Sequence, residues 1–155
     1  MMVKARLSII AALLAIGLVA GCGGSSSSDT TTSVNDFKKD FVAATAPLKQ
    51  TTASIGSALK EAPGKTNAQL AATFSDLATE WQSGSAKLNS LSPPPALESE
   101  FDAVKGAVAA VESDLKALST AAGAGNVSAA RAASIKLARD VEAAKAAAIK
   151  LQGAS

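Results

Sequence analysis

The sequence predicts an all-α protein, an antiparallel four-helix up-down bundle. Three observations predict it. Apolar residues recur at steps of three and four through four long stretches, which is the helical period. Breakers separate these stretches at Pro63-Gly64, at Ser92-Pro93-Pro94-Pro95 and around Gly123 and Gly125. Alanine, the strongest helix former, is frequent throughout.

The first helix is expected at about 34–62. Ser33 with Asp36 suits a start, because both side chains can serve the unpaired amides of a first turn. Phe37, Phe41, Ala44, Leu48, Ile55 and Leu59 form its apolar stripe. Pro47 lacks an amide hydrogen and collides with the carbonyl of Ala43, so a kink or short break is expected there.

The second helix is expected at about 67–91, with Thr66 and Gln69 in a capping-box pattern. Leu70, Phe74, Leu77, Trp81, Gly84, Leu88 and Leu91 step regularly along one face. The triple proline then forms a stiff corner.

The third helix is expected at about 95–122, with Pro95 at its first position, where the amide would be unpaired anyway. Leu97, Phe101, Val104, Val108, Val111, Leu115, Leu118 and Ala122 make the most regular stripe of the chain. The fourth is expected at about 127–151, capped by Asn126, with a seam of Ala130, Ser134, Leu137, Val141, Ala144, Ala148 and Leu151. Small seam residues permit close approach but bury little area, so this helix should be the least firmly held. Short connectors make sequential helices neighbours, and antiparallel packing at about 20° follows from the stripes.

The residues before the helices give an address. Lys4 and Arg6 precede an apolar run at 7–20, and Val19-Ala20-Gly21-Cys22 follows. The run would span roughly 21 Å as a helix, short of a hydrocarbon core of about 30 Å. This region resembles the signal peptide and lipobox of bacterial lipoproteins. The resemblance implies cleavage between Gly21 and Cys22, a diacylglyceryl group on the Cys22 thiol and often a further acyl chain on the new amino group. It implies a membrane-anchored protein on the extracytoplasmic side, periplasmic or at the cell surface. The segment 22–32, rich in Gly, Ser and Thr, would be a flexible tether with a reach of roughly 16–19 Å. The segment 33–155 would be the bundle.

Composition narrows the function. Fifteen basic against thirteen acidic residues become thirteen of each once Lys4 and Arg6 are removed. A neutral chain argues against nucleic acid as partner. The chain contains no histidine, which excludes imidazole-based zinc or haem sites and Ser-His-Asp or Cys-His catalysis. Its one cysteine leaves no intrachain disulfide. No catalytic, metal or cofactor site is expected beyond the covalent lipid.

Other motifs read as structure. Pro63-Gly64-Lys65-Thr66 resembles the end of a phosphate-binding loop, but Leu59 stands where a glycine is needed. Ser57 and Lys60 match a serine–lysine spacing that is common by chance in helices. Glu98, Glu100, Asp102, Glu112 and Asp114 lie off the apolar seam and read as a solvated face.

Two functions remain. The first is a non-enzymatic interaction or accessory module for an unidentified envelope protein. The second is a small binding module that holds an apolar ligand or lipid between helices, lined by Phe74, Trp81, Gly84 and Phe101. Gly84 is unusual, since glycine inside a helix costs about 1 kcal/mol against alanine. It marks close helix approach, a small void opposite Trp81, or nothing functional.

Overall fold

The computed structural model describes residues 33–155, so the segments expected as signal peptide and tether, the expected Gly21–Cys22 cleavage and the expected lipidation at Cys22 lie outside the described residues. These residues form four α-helices, an arrangement compatible with a helical bundle, and contain no strand. They are α1 (Val34–Glu61), α2 (Asn67–Asn89), α3 (Glu98–Gly123) and α4 (Val127–Gly153), with short 3-10 turns at Ala62–Gly64 and Pro95–Leu97.

Three starts follow the expected caps. The Asp36 amide donates to the Ser33 hydroxyl at 3.1 Å. The Gln69 amide donates to the Thr66 hydroxyl at 3.3 Å, and the Thr66 amide donates back to the Gln69 side chain at 2.9 Å. The Ala129 amide donates to the Asn126 side chain at 3.0 Å. Each bond satisfies an amide that the helix itself leaves unpaired.

Boundaries near proline differ from expectation. α2 ends at Asn89 rather than 91, because Leu91 tightens into a turn, its amide donating to the Leu88 carbonyl at 3.1 Å. Pro93 then restricts the residue before it to extended conformations. α3 begins at Glu98 rather than Pro95, since Pro95–Leu97 winds as a 3-10 turn that buries Leu97 completely. Its far end is a Schellman stop. Gly125 takes φ +65°. Its amide donates to Ala122, and that of Asn126 donates to Ala121, both at 3.0 Å.

α1 runs unbroken through Pro47, so the short break is absent. Around the proline, the hydroxyls of Thr45, Thr51 and Thr52 donate to the carbonyls of Phe41, Pro47 and Leu48 at 2.8, 3.2 and 2.8 Å. The helix keeps its surrounding turns, and only the bond that Pro47 cannot donate is missing.

The core draws on all four helices. At one end Phe37 meets Phe101 edge-on, with ring centroids 5.3 Å apart. Further along, the Trp81 indole N–H donates to the Val108 carbonyl at 2.9 Å, linking α2 to α3. The Ser119 hydroxyl donates to the Ala71 carbonyl at 2.8 Å across the same pair. The α3 stripe from Phe101 to Ala122 is buried within one chain. α4 buries only Leu137, Val141 and Leu151, in line with its small-residue seam. Ion pairs reinforce it: Lys136 reaches Asp114 at 2.6 Å, and Lys150 reaches Glu100 at 3.6 Å, both on α3.

Candidate functional site

α2 packs along both α1 and α3, and α4 packs along α3, but α1 and α4 scarcely touch. Their stripes turn toward the shared core, and their facing flanks, largely alanine, threonine and lysine with Leu48 and Ile149, leave the seam open. At one end the Lys38 ammonium donates to the Ala154 carbonyl and ties the two helices together. Beyond that tie, apolar hollows lie along the seam.

The main hollow has a volume of about 360 Å³. Trp81 of α2 with Val104 and Val108 of α3 forms its floor, Leu48, Lys49 and Thr52 of α1 one wall, and Ala144, Lys145 and Ile149 of α4 the other. The floor residues are themselves well packed, and Trp81 has its only polar atom satisfied by the Val108 carbonyl. That bond fixes the ring, so the hollow has a rigid aromatic base with no unpaired donor on it. A second hollow of about 270 Å³ lies nearer the other end, lined by Leu59, Leu70, Phe74, Leu118, Val127 and Arg131.

The four residues expected to line a ligand site occupy different places. Trp81 lines the main hollow and Phe74 the second. Phe101 sits in the aromatic contact with Phe37, and the Lys105 ammonium lies 5.2 Å from its ring centre. Gly84 faces α1. A Cβ there would lie 2.8 Å from Leu48 Cδ2 and 3.5 Å from Pro47 Cβ, so the glycine marks close approach rather than a void opposite Trp81.

Among the residues walling the main hollow, Ala144 belongs to the seam expected for the fourth helix, whereas Lys49, Thr52 and Lys145 are absent from the expected stripes and site. A signal exists, because Val42, Thr45, Lys49 and Thr52 recur at steps of three and four on a flank beside the stripe. Only the separation of α1 from α4 gives that flank its meaning.

Of the α3 carboxylates, Glu98 and Asp102 are exposed and Glu100 and Glu112 half-buried, with Asp102 paired to Lys105 at 2.8 Å and Glu112 to Lys116 at 2.6 Å. Asp114 departs from the expected solvated face. It is 3 % exposed, its Oδ1 accepts from Lys136, and its Oδ2 has no partner among the described residues. Lys136 also donates to Asp140 at 2.8 Å. The hydrogen bonds to Asp114 and Asp140 raise the pKa of Lys136 above its ordinary 10.5. The bond from Lys136 holds the Asp140 carboxyl below its ordinary 3.8. The cluster joins α3 to α4 and carries no nucleophile or hollow of its own.

The remaining motifs are structural. Gly64 ends a 3-10 turn that follows a helix, and Thr66 uses its hydroxyl in the α2 cap. Among the described residues no group of His, Cys, Asp or Glu is placed to hold a metal ion, and no helix is long and apolar enough to cross a membrane. Comparison with protein-family models, with curated proteins and with solved structures finds no match to this chain.

Proposed function

We propose that the protein is a non-enzymatic, lipid-anchored envelope protein whose helices form an antiparallel up-down bundle and hold an apolar ligand in the α1–α4 seam. One observation carries the ligand reading: the seam is open above a rigid apolar floor of Trp81, Val104 and Val108. Three pairings support the topology, since each joins the early part of one helix to the late part of another. They are Ala71 with Ser119, Glu100 with Lys150, and Lys38 with Ala154. The anchor rests on Val19-Ala20-Gly21-Cys22 behind a basic, then apolar, N-terminus. An anchored protein of this kind would sit on the extracytoplasmic side, with membrane lipid as partner through Cys22. Acyl chains on that thiol, at about 0.8 kcal/mol per buried methylene, would give stable attachment.

Two measurements test this reading. Growth of the producing bacterium with an alkyne-tagged fatty acid should label the wild-type chain and leave Cys22→Ala unlabelled; an unlabelled wild type would overturn the anchor. Native mass spectrometry of the lipoprotein from its own envelope should find a non-covalent adduct of lipid-like mass. A bare monomer would instead favour an accessory module that docks to an envelope protein. The exposed Ile135 and Ile149 of α4 are the observation behind that second reading, because they offer apolar contacts to a partner. Robust catalytic turnover by the pure protein would overturn both.

A further inference from the structure

The ionisable residues around the α1–α4 seam have one sign. Lys49 and Lys145 wall the main hollow, Arg131 walls the second, and no carboxylate lines either. Hollows on the α1–α2 side differ, since Glu80 and Glu61 line them beside Lys87 and Lys65. Lys145 is bridged to Glu142 at 2.6 Å on the exposed side of α4. Among the described residues Lys49 has no carboxylate partner. The arrangement follows from helical spacing. Lys38, Val42, Thr45, Lys49 and Thr52 step by four and three along one flank of α1, while Asp36, Asp40 and Glu61 fall off it.

The hydroxyls on this wall are already engaged. Thr45 donates to the Phe41 carbonyl and Thr52 to the Leu48 carbonyl, each at 2.8 Å. The polar side chains left to an occupant are the two ammonium groups and the amide of Gln152. A sugar or other neutral polar molecule would therefore find few partners, and an apolar chain ending in a compact anion would find suitable ones. The volume of about 360 Å³ lies near the small end for ligand sites, which favours one chain over two.

Resting on the reading of this seam as a ligand site, we propose that its occupant is a long-chain fatty acid. The alkyl chain lies on Trp81, Val104 and Val108, and the carboxylate pairs with Lys49 and Lys145. Lys49 supplies the unpaired charge, and Lys145 exchanges or shares its contact with Glu142.

Trp81 is the only tryptophan of the chain, so its fluorescence reports on this floor alone. The test uses the full lipoprotein in phosphatidylcholine nanodiscs, titrated with palmitate and, separately, with hexadecanol. Palmitate should shift Trp81 emission saturably and bind about tenfold tighter than hexadecanol, as expected for a charge-assisted contact. Lys49→Gln with Lys145→Gln should remove that tenfold difference, so that palmitate binds no tighter than hexadecanol. Ala144→Phe, which fills the hollow, should abolish both shifts. Equal binding of palmitate and hexadecanol would overturn the fatty-acid assignment and leave the apolar-ligand reading standing. No response to either would overturn both. A shift seen only when phosphatidylglycerol replaces phosphatidylcholine would overturn the proposal in favour of docking on an anionic lipid surface.

Discussion

The α2–α3 seam and the α1–α4 seam are built from helices of similar length and period, yet the first is bridged by side chains and keeps a polar hollow of about 260 Å³ beside Gln82 and Lys116, while the second carries an apolar one of about 360 Å³. Across α2–α3, Trp81 reaches the Val108 carbonyl, Ser119 reaches the Ala71 carbonyl, and large side chains interlock. Across α1–α4 the main connection is a single lysine–carbonyl bond at one end, and hollows follow. The difference lies in the flanks rather than the stripes. α3 carries bulky residues on both sides of its seam, so it fills the space toward each neighbour. α4 presents Ala144, Ala148, Lys145 and a single bulky flank residue, Ile149, toward α1, and α1 answers with Leu48, two threonines and Lys49. A seam closes when both flanks supply enough side-chain volume, whatever the helical period says.

The largest effect should come from the residue that belongs to both seams. Trp81→Ala removes the floor of the hollow and leaves a large cavity, so it should cost about 3–5 kcal/mol in urea unfolding. Trp81→Phe should cost less, about 1–2 kcal/mol, because most of the ring survives and the bond to Val108 does not. If the two variants lose the same stability, the packing contrast between the seams is wrong.

Added volume sharpens the comparison. Val111 of α3 is fully buried and borders none of the hollows described, and Ala144 lines the apolar one. Val111→Phe should lose about 1–3 kcal/mol by overpacking. Ala144→Leu should change stability by less than about 0.5 kcal/mol, since there is room for it. The α1–α2 seam has polar-lined hollows of about 460 and 400 Å³ but is tight where Gly84 meets Leu48. Gly84→Leu would drive a side chain into Leu48 and Pro47 and should cost about 1–3 kcal/mol. Thermal or urea melts of the three variants check all of these, and a tolerant Gly84 would show that this close approach does not constrain the seam.

The smallest expected effect is the pH dependence of the α3–α4 link. The pKa of Asp140 is lowered by Lys136, so its contribution is present above the unfolded value near 3.8. It is lost as pH falls through the still lower folded value. The pKa of Lys136 is raised, so its contribution is present below 10.5 and is lost as pH climbs through the higher folded value. Both groups are solvent-accessible, which keeps the effect small. Melting temperatures followed from pH 7 to pH 2.5 should fall less for Asp140→Asn than for the wild type over the acid end. Equal acid losses would show that this link contributes nothing measurable.

Much of the fold is legible in the sequence because its signals are local. The caps at Ser33, Thr66 and Asn126 and the stop around Gly125 depend on residues within one turn, and all four operate as the pattern predicts. Helix ends beside proline are less legible. Pro95 and Pro93 favour more than one turn geometry, and the burial of Leu97 selects the 3-10 turn. Pro47 is expected to interrupt α1, but packing against Gly84 and the surrounding turns carries the helix through. The candidate site was legible in part. Of the four residues expected to line one cavity, Trp81 borders the main hollow, whereas Phe74, Gly84 and Phe101 serve a second hollow, a close contact and an aromatic pair.

By itself the sequence determined the helical class, the four elements, their caps, the stripes that form the core and the absence of imidazole chemistry. These depend on composition and on contacts within a turn or two of chain. Only the tertiary structure decided that Gly84 meets Leu48, that Asp114 is buried against Lys136, and that α1 and α4 stand apart over Trp81. Those outcomes depend on how the side-chain volumes of four flanks sum at each seam, and no helix encodes its neighbour's volume.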